Sequence, residues 1–114
     1  MKLEEIIRIL NLKIITSEKF LNRTITGGYA SDLLSDVIAN AQSGNLWITM
    51  QTHINIVAVA VLKELSAIII VNGRNPADDT IKKAEEQGVV IMCSDLPAFK
   101  LCGKLYELGI GKDN

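Results

Sequence analysis

Leu3, Ile6, Ile7 and Leu10 recur at helical spacing, and Leu12 to Ile15 then form a short run with β-branched residues, so the chain is predicted to open on a helix followed by a strand. Thr24, Ile25 and Thr26 read as extended, and with Gly27-Gly28 behind them they predict a second strand near Thr24–Tyr29. Ser31 or Asp32 can cap a helix whose apolar positions Leu33, Leu34, Val37, Ile38 and Ala41 share one face, with Gly44 placed to end it. Leu46 to Met50 reads as a buried strand. Thr52 can cap a helix running to about Leu65, and Ala67 to Val71 is a strongly β-branched strand. Asn75-Pro76 then begins a helix that Gly88 stops, Val89 to Met92 is the last strand, and Pro97 to Leu108 the last helix.

Strands that alternate with helices of about ten residues need crossover connections, which means a largely parallel sheet covered on both faces. The expected fold is therefore a single α/β domain over residues 1–114, with a mainly parallel sheet of four or five strands and helices on both sides. Ile14, Leu34, Ile38, Ile48, Val57, Val61, Ile69, Val71, Ile91 and Leu105 are expected in the core. In the helix after Thr52, the stripe Ile54, Val57, Ala58, Val61, Leu62 and Leu65 should face the sheet. That leaves Ile56, Val59 and Ala60 on an opposite apolar face, where a second copy could pack to make a two-fold dimer. Cover by the N-terminal helix within one chain is the alternative.

Composition narrows the function classes. Of 114 residues 48% are hydrophobic and only 4% aromatic, so the core is aliphatic. Twelve basic residues stand against thirteen acidic, with no block of either sign, which leaves no electrostatic footprint for nucleic acid. The chain begins without the basic start and apolar run of a signal peptide and has no apolar stretch near the ~20 residues of a membrane helix, so a cytoplasmic setting is expected. Cys93 and Cys102, nine positions apart, match neither a redox pair nor a metal knuckle and read as buried, reduced thiols.

The stretch Leu46–Leu108 resembles the DRTGG domain family. Its parts are a strand at Leu46–Met50, a polar turn at Gln51–Asn55, a strand at Ala67–Val71, a glycine turn at Asn72–Asn75, a helix at Pro76–Gln87, a strand at Val89–Met92 and an Asp-containing turn at Cys93–Pro97. Gly27 to Asp36 resembles the family's first strand-to-helix segment. Asn22, Arg23, Thr24, Gly27 and Gly28 nearly spell the family name in one place. In the family, however, the letters come from two successive turns, whose equivalents are Thr52-His53 and Asn72-Gly73-Arg74, and only Gly73 keeps the signature. The resemblance implies an accessory domain of the kind that accompanies phosphate acetyltransferases and CBS-type pyrophosphatases, similar also to the N-terminal domain of HPr kinase/phosphorylase. It also suggests an adenine nucleotide as ligand; separately, no cofactor is expected.

In an open parallel sheet the loops at the carboxyl ends of the strands gather at one edge, where ligands bind. Gly27-Gly28, Thr52-His53, Asn72-Gly73-Arg74 and Ser94-Asp95 each follow an expected strand and precede a helix, so they are the candidate ligand residues. Gly27-Gly28 could offer N–H groups to an anion, although no Walker lysine follows and a tight strand-to-helix turn is the favoured reading. His53 sits in a polar cluster that could cap a helix or touch a ligand. Arg74 offers a fork of donors for a phosphate or carboxylate, or is an ordinary solvated loop residue. Asp32 and Asp95 oppose negative charge, which limits the ligand to one phosphate or carboxylate.

No nucleophile has a visible base and orienter, and one histidine with distant acids and thiols makes no metal set. The expected function is a non-catalytic regulatory or sensing module that binds a small anionic ligand or a partner enzyme or kinase. A pure interaction protein, and a small enzyme that acts on a phosphorylated metabolite with His53 as base, remain the alternatives.

Overall fold

The computed structural model describes residues 1–112. Helix α1 (Leu3–Leu10) leads into β1 (Lys13–Ile14) and a short 3₁₀ turn at Glu18–Phe20. Four strand-helix units follow: β2 (Gly27–Ala30) and α2 (Leu34–Asn40), β3 (Asn45–Thr49) and α3 (Asn55–Leu62), β4 (Ala67–Ile70) and α4 (Asp78–Gln87), β5 (Ile91–Cys93) and α5 (Ala98–Glu107). The sheet has five strands in the order β1-β5-β4-β3-β2, all parallel except β1, which pairs antiparallel with β5. A mainly parallel α/β sheet with helices on both faces is thus the architecture.

Because β2 to β5 lie side by side in chain order, each right-handed crossover between them returns over the same face. Helices α2, α3 and α4 therefore share one layer. Val37, Ile56, Val57, Val59, Ala60 and Ala84 from that layer pack on Trp47, Ile68, Ile70 and Ile91. The opposite face is covered by α1 and α5, whose Leu3, Ile6, Leu101 and Leu105 pack on Leu46, Ile48, Ile69, Val71 and Met92. The central strands are apolar on both faces because both are covered.

Several sequence expectations need correction. Ile38 and Val61 are 40% and 44% exposed, and Ile14 and Leu34 are only half-buried. Helix α3 is turned from its expected orientation: Ile56, Val59 and Ala60 are buried, while Ile54, Ala58, Val61 and Leu62 face outward. The reason is that α3 lies between α2 and α4 as well as on the sheet, and an almost purely aliphatic helix has no polar stripe to mark its outer side. Ile56, Val59 and Ala60 cannot form the exposed dimer face expected of them.

The helix starts also differ. Helix α2 begins at Leu34 without a side-chain cap, although the Ser31 hydroxyl accepts the Leu33 N–H at 3.2 Å. Thr52 does not cap α3, and α4 begins two residues beyond Pro76, at Asp78. Gly44 does not close α2 but turns the chain into β3 at φ +82, where a Cβ would lie 2.6 Å from the Thr26 methyl group. Gly88 does close α4, at φ 69.

Candidate functional site

Parallel strands bring their carboxyl ends to one edge, and on this edge the loop after β4 leads to one helical layer while the loop after β5 leads to the other. Two neighbouring strands whose connections leave on opposite faces open a crevice between them. Here that crevice is partly sewn shut. The Asn72 N–H donates to the Leu96 carbonyl at 2.9 Å, and the Gly73 N–H donates to the Ser94 carbonyl at 2.9 Å. Asn72 and Gly73 have φ of 63 and 66 and the Arg74 N–H returns to the Val71 carbonyl at 3.2 Å, the left-handed turn that an Asn-Gly pair favours. A side chain at position 73 would meet the Asp95 carboxylate at 3.5 Å.

Space remains beside this seam. Asn11, Leu12, Lys13, Gly73, Asn75, Cys93 and Asp95 line an open cleft of about 500 Å³. Lys13 reaches it because β1 runs antiparallel to β5, which sets Lys13 opposite Cys93 at the carboxyl edge. Asn11 joins it from the left-handed end of α1, at φ 52. The cleft thus holds an ammonium, two amides and a carboxylate, with a floor that includes the Cys93 thiol. Burial pushes that thiol's pKa up, with Asp95 adding to the shift and Lys13 opposing it, so it stays protonated at neutral pH. A protonated, buried thiol is a floor and not a nucleophile.

Of the residues expected to converge, the structure brings together Asn72, Gly73, Ser94 and Asp95. It does not bring Gly27-Gly28 to them. These two glycines open β2 instead of following it, so they lie toward the amino edge of the sheet. The segment that does follow β2 is Ser31-Asp32. There the Asp32 carboxylate accepts the Thr49 hydroxyl and the Met50 N–H, both at 2.8 Å, and its backbone carbonyl accepts the Gln51 amide at 2.8 Å. Asp32 is thereby committed to holding the loops after β2 and β3 together. Thr52 holds the next pair, its carbonyl accepting the Ala77 N–H at 3.1 Å and the Thr80 hydroxyl at 2.8 Å. His53 and Arg74 are on the same edge, exposed, and outside the cleft lining. The Ser94 hydroxyl accepts the Leu96 N–H at 3.1 Å, and Ser94 is buried.

Asn11, Lys13, Asn75 and Cys93 were not expected in a site. Their convergence depends on β1 lying against β5, a long-range pairing without a local sequence signal. The edge as a whole carries both signs: Asp32, Asp95 and, in the first turn of α4, Asp78 and Asp79 stand against Lys13 and Arg74. Among the described residues, no cluster of three His, Cys, Asp or Glu is placed to hold a metal ion, and no helix is long and apolar enough to cross a membrane.

No protein-family model matches the sequence, and no curated protein matches it. Among solved structures, the CBS and DRTGG domains of the regulatory region of Clostridium perfringens pyrophosphatase, complexed with the activator diadenosine tetraphosphate, are similar in fold. The TM-score is 0.71 at 15% identity, over 96% of this chain. The present chain spans 47% of that one, about half its length. The fold is therefore one found in a pyrophosphatase regulatory region.

Proposed function

We propose that this chain is a regulatory module that binds a small anionic metabolite, of the adenine-nucleotide class, in the cleft at the carboxyl edge of its sheet. The observation that carries the reading is the cleft itself: one lysine, two asparagine amides and one carboxylate around about 500 Å³, a volume in the range of small-molecule sites. Lys13 supplies charge for a single phosphate. Asn11 and Asn75 offer paired donors and acceptors of the kind a purine edge uses, and Asp95 accepts from a ribose hydroxyl. The similarity in fold to a regulatory region solved with a dinucleotide activator supports both the role and the ligand class. Arg74 stands on the loop that borders the cleft and can close on a longer phosphate chain.

A role without catalysis fits this chemistry, since the thiol is held protonated and the exposed His53 lies outside the lining. The test is a calorimetric titration with AMP, ATP and diadenosine tetraphosphate, repeated on Lys13→Ala. Saturable binding of one of them, weakened in the variant, is the expected result. Heat-silent titrations with all three, backed by an unchanged thermal midpoint at millimolar ligand, would overturn the reading.

A further inference from the structure

Strand β2 lies at the edge of the sheet farthest from the cleft and, among the described residues, is paired with β3 on one side only. The Ser31 N–H donates to the Ile48 carbonyl at 3.2 Å, which fixes the alternation along the strand. Tyr29 turns its main-chain groups toward β3, and Gly28 and Ala30 turn theirs outward. Such an outward row is a template for another strand, and sheets normally block it with lysine, proline, a bulge or a very short strand. The two edges of this sheet differ in that respect. β1 is two residues long and carries the exposed Lys13, whereas β2 reads Gly-Gly-Tyr-Ala, without charge or proline.

Nothing among the described residues requires glycine at position 28. Its φ lies outside the left-handed region, and a Cβ would make ordinary contacts, 3.7 Å from Ile48 and 3.9 Å from Ile110. A strand glycine with room for a side chain suits the close approach of a second backbone. An apolar recess of about 200 Å³, lined in part by Ile48, Leu105, Tyr106 and Ile110, runs beside Gly28 and Ala30. The Tyr29 ring is on the other face, its hydroxyl bonded to Asp36 at 2.8 Å, so it stands clear of the edge.

We propose that β2 is a self-pairing edge on which a second copy of this chain adds its own β2, antiparallel, about a two-fold axis at Tyr29. The occupant follows from the register. An antiparallel hydrogen-bonded pair needs a free N–H and C=O on both opposed residues, and Gly28 and Ala30 are the outward residues of the strand. With the two-fold at Tyr29, Gly28 of each copy faces the partner's Ala30, and every outward group on both strands is used. The two five-stranded sheets become one continuous sheet. Both opposed positions carry minimal side chains, so the strands can reach normal spacing, and Tyr106, 56% exposed, gains cover along the seam.

The experiment is sedimentation at micromolar concentration, on the wild-type chain, Ala30→Lys and Leu62→Ser. The expected result is a wild-type dimer, a dissociation constant raised at least about tenfold by a lysine on the seam, and no change from Leu62→Ser, which alters the exposed side of α3 instead. A wild-type monomer, or an Ala30→Lys chain that dimerises as tightly as wild type, overturns the proposal. Amide exchange supplies a second readout if Ala30→Lys does not fold. The Gly28 and Ala30 amides should exchange more slowly as the wild-type protein is concentrated, and rates independent of concentration overturn the proposal by themselves.

Discussion

The hydroxyl of Thr16 accepts the N–H of Ile91 at 2.9 Å and donates to the Val89 carbonyl at 2.6 Å, so a side chain completes the sheet just where β1 ends. Thr16 is fully buried and its own N–H goes to the Ile91 carbonyl at 3.3 Å. Thr16→Val keeps the volume and leaves a buried donor and acceptor unpaired, so a loss of about 2–4 kcal/mol is expected in urea unfolding. Because β1 also brings Lys13 to the cleft, Thr16→Val should loosen that site as well.

Arg23 makes its bonds to main chain. It donates to the Gly88 carbonyl at 2.8 Å and the Ser66 carbonyl at 3.4 Å, and its guanidinium lies 4.5 Å from the centre of the Phe20 ring. Burial pushes its pKa down, but an arginine remains charged at any working pH. Arg23 therefore ties the entry to β4 and the end of α4 to the segment before β2. Arg23→Lys keeps the charge and loses both the fork and the stacking, with an expected cost of about 1–2 kcal/mol in thermal or urea unfolding.

The orientation of α3 predicts a contrast between two aliphatic neighbours. Ile56 is fully buried and Leu62 is 65% exposed. Ile56→Ala is expected to cost about 2–5 kcal/mol. Leu62→Ala should stay within about 0.5 kcal/mol. Equal losses at the two positions would mean that α3 is turned the other way in solution.

Helix α3 also marks the limit of what the sequence reveals about the fold. Alternation of element types was legible because strands and helices differ in length and in their terminating residues, as Gly88 illustrates. Rotation of a helix about its axis is legible only where polar residues mark the outer side, and α3 lacks charged residues. Helix starts were misread for a related reason: Thr52, Asn75 and Pro76 are ordinary cap residues, yet Thr52 serves α4 through its carbonyl, and Ala77 and Ile54 precede the helices without a side-chain bond.

The Tyr29 hydroxyl donates to both oxygens of Asp36, at 2.8 and 2.9 Å, and the Asn40 amide adds a third bond at 2.8 Å. These bonds favour ionised Asp36, holding its pKa below the usual carboxylate value, while the bond to Asp36 and partial burial raise the Tyr29 pKa. A lowered acid pKa contributes stability above the unfolded value and loses it as pH falls through the folded one. A raised tyrosine pKa contributes below its unfolded value and loses it as pH rises through the folded one. The contact should therefore add stability on the plateau from about pH 5 to 9 and fade on both sides. Tyr29→Phe should flatten the alkaline shoulder of the stability profile and lower the plateau, and an unaltered profile would show that the pair contributes nothing.

The candidate site was legible in part. Asn72-Gly73 and Ser94-Asp95 belong to loops after parallel strands, so element order puts both on the carboxyl edge, while their meeting depends on β4 pairing with β5. Gly27-Gly28 failed because the strand begins at the glycines, and a boundary shifted by three residues moves them to the other edge of the sheet. Lys13 and Asn11 were out of reach because their place depends on β1 joining the sheet beside β5, across almost eighty residues of sequence.

Lys13 and Arg74 should therefore differ in what they contribute to binding. Lys13 lines the cleft and Arg74 stands outside it, on the loop that borders it. A ligand with one phosphate seated against Lys13 should lose about 1.5–3 kcal/mol of binding on Lys13→Ala, the range for a charged hydrogen bond. Arg74 is exposed, so its contribution to the same ligand is that of a screened surface charge, about 0–1 kcal/mol at physiological salt. With diadenosine tetraphosphate the order can tighten, since a longer phosphate chain leaves the cleft past the turn that carries Arg74. Calorimetry on both variants with AMP and with the dinucleotide therefore separates the two roles. Lys13→Ala should weaken both ligands, whereas Arg74→Ala should weaken the dinucleotide more than AMP. If Arg74→Ala abolishes AMP binding and Lys13→Ala leaves it intact, the phosphate sits over the Asn72–Asn75 turn instead, and the cleft beside β1 is not the site.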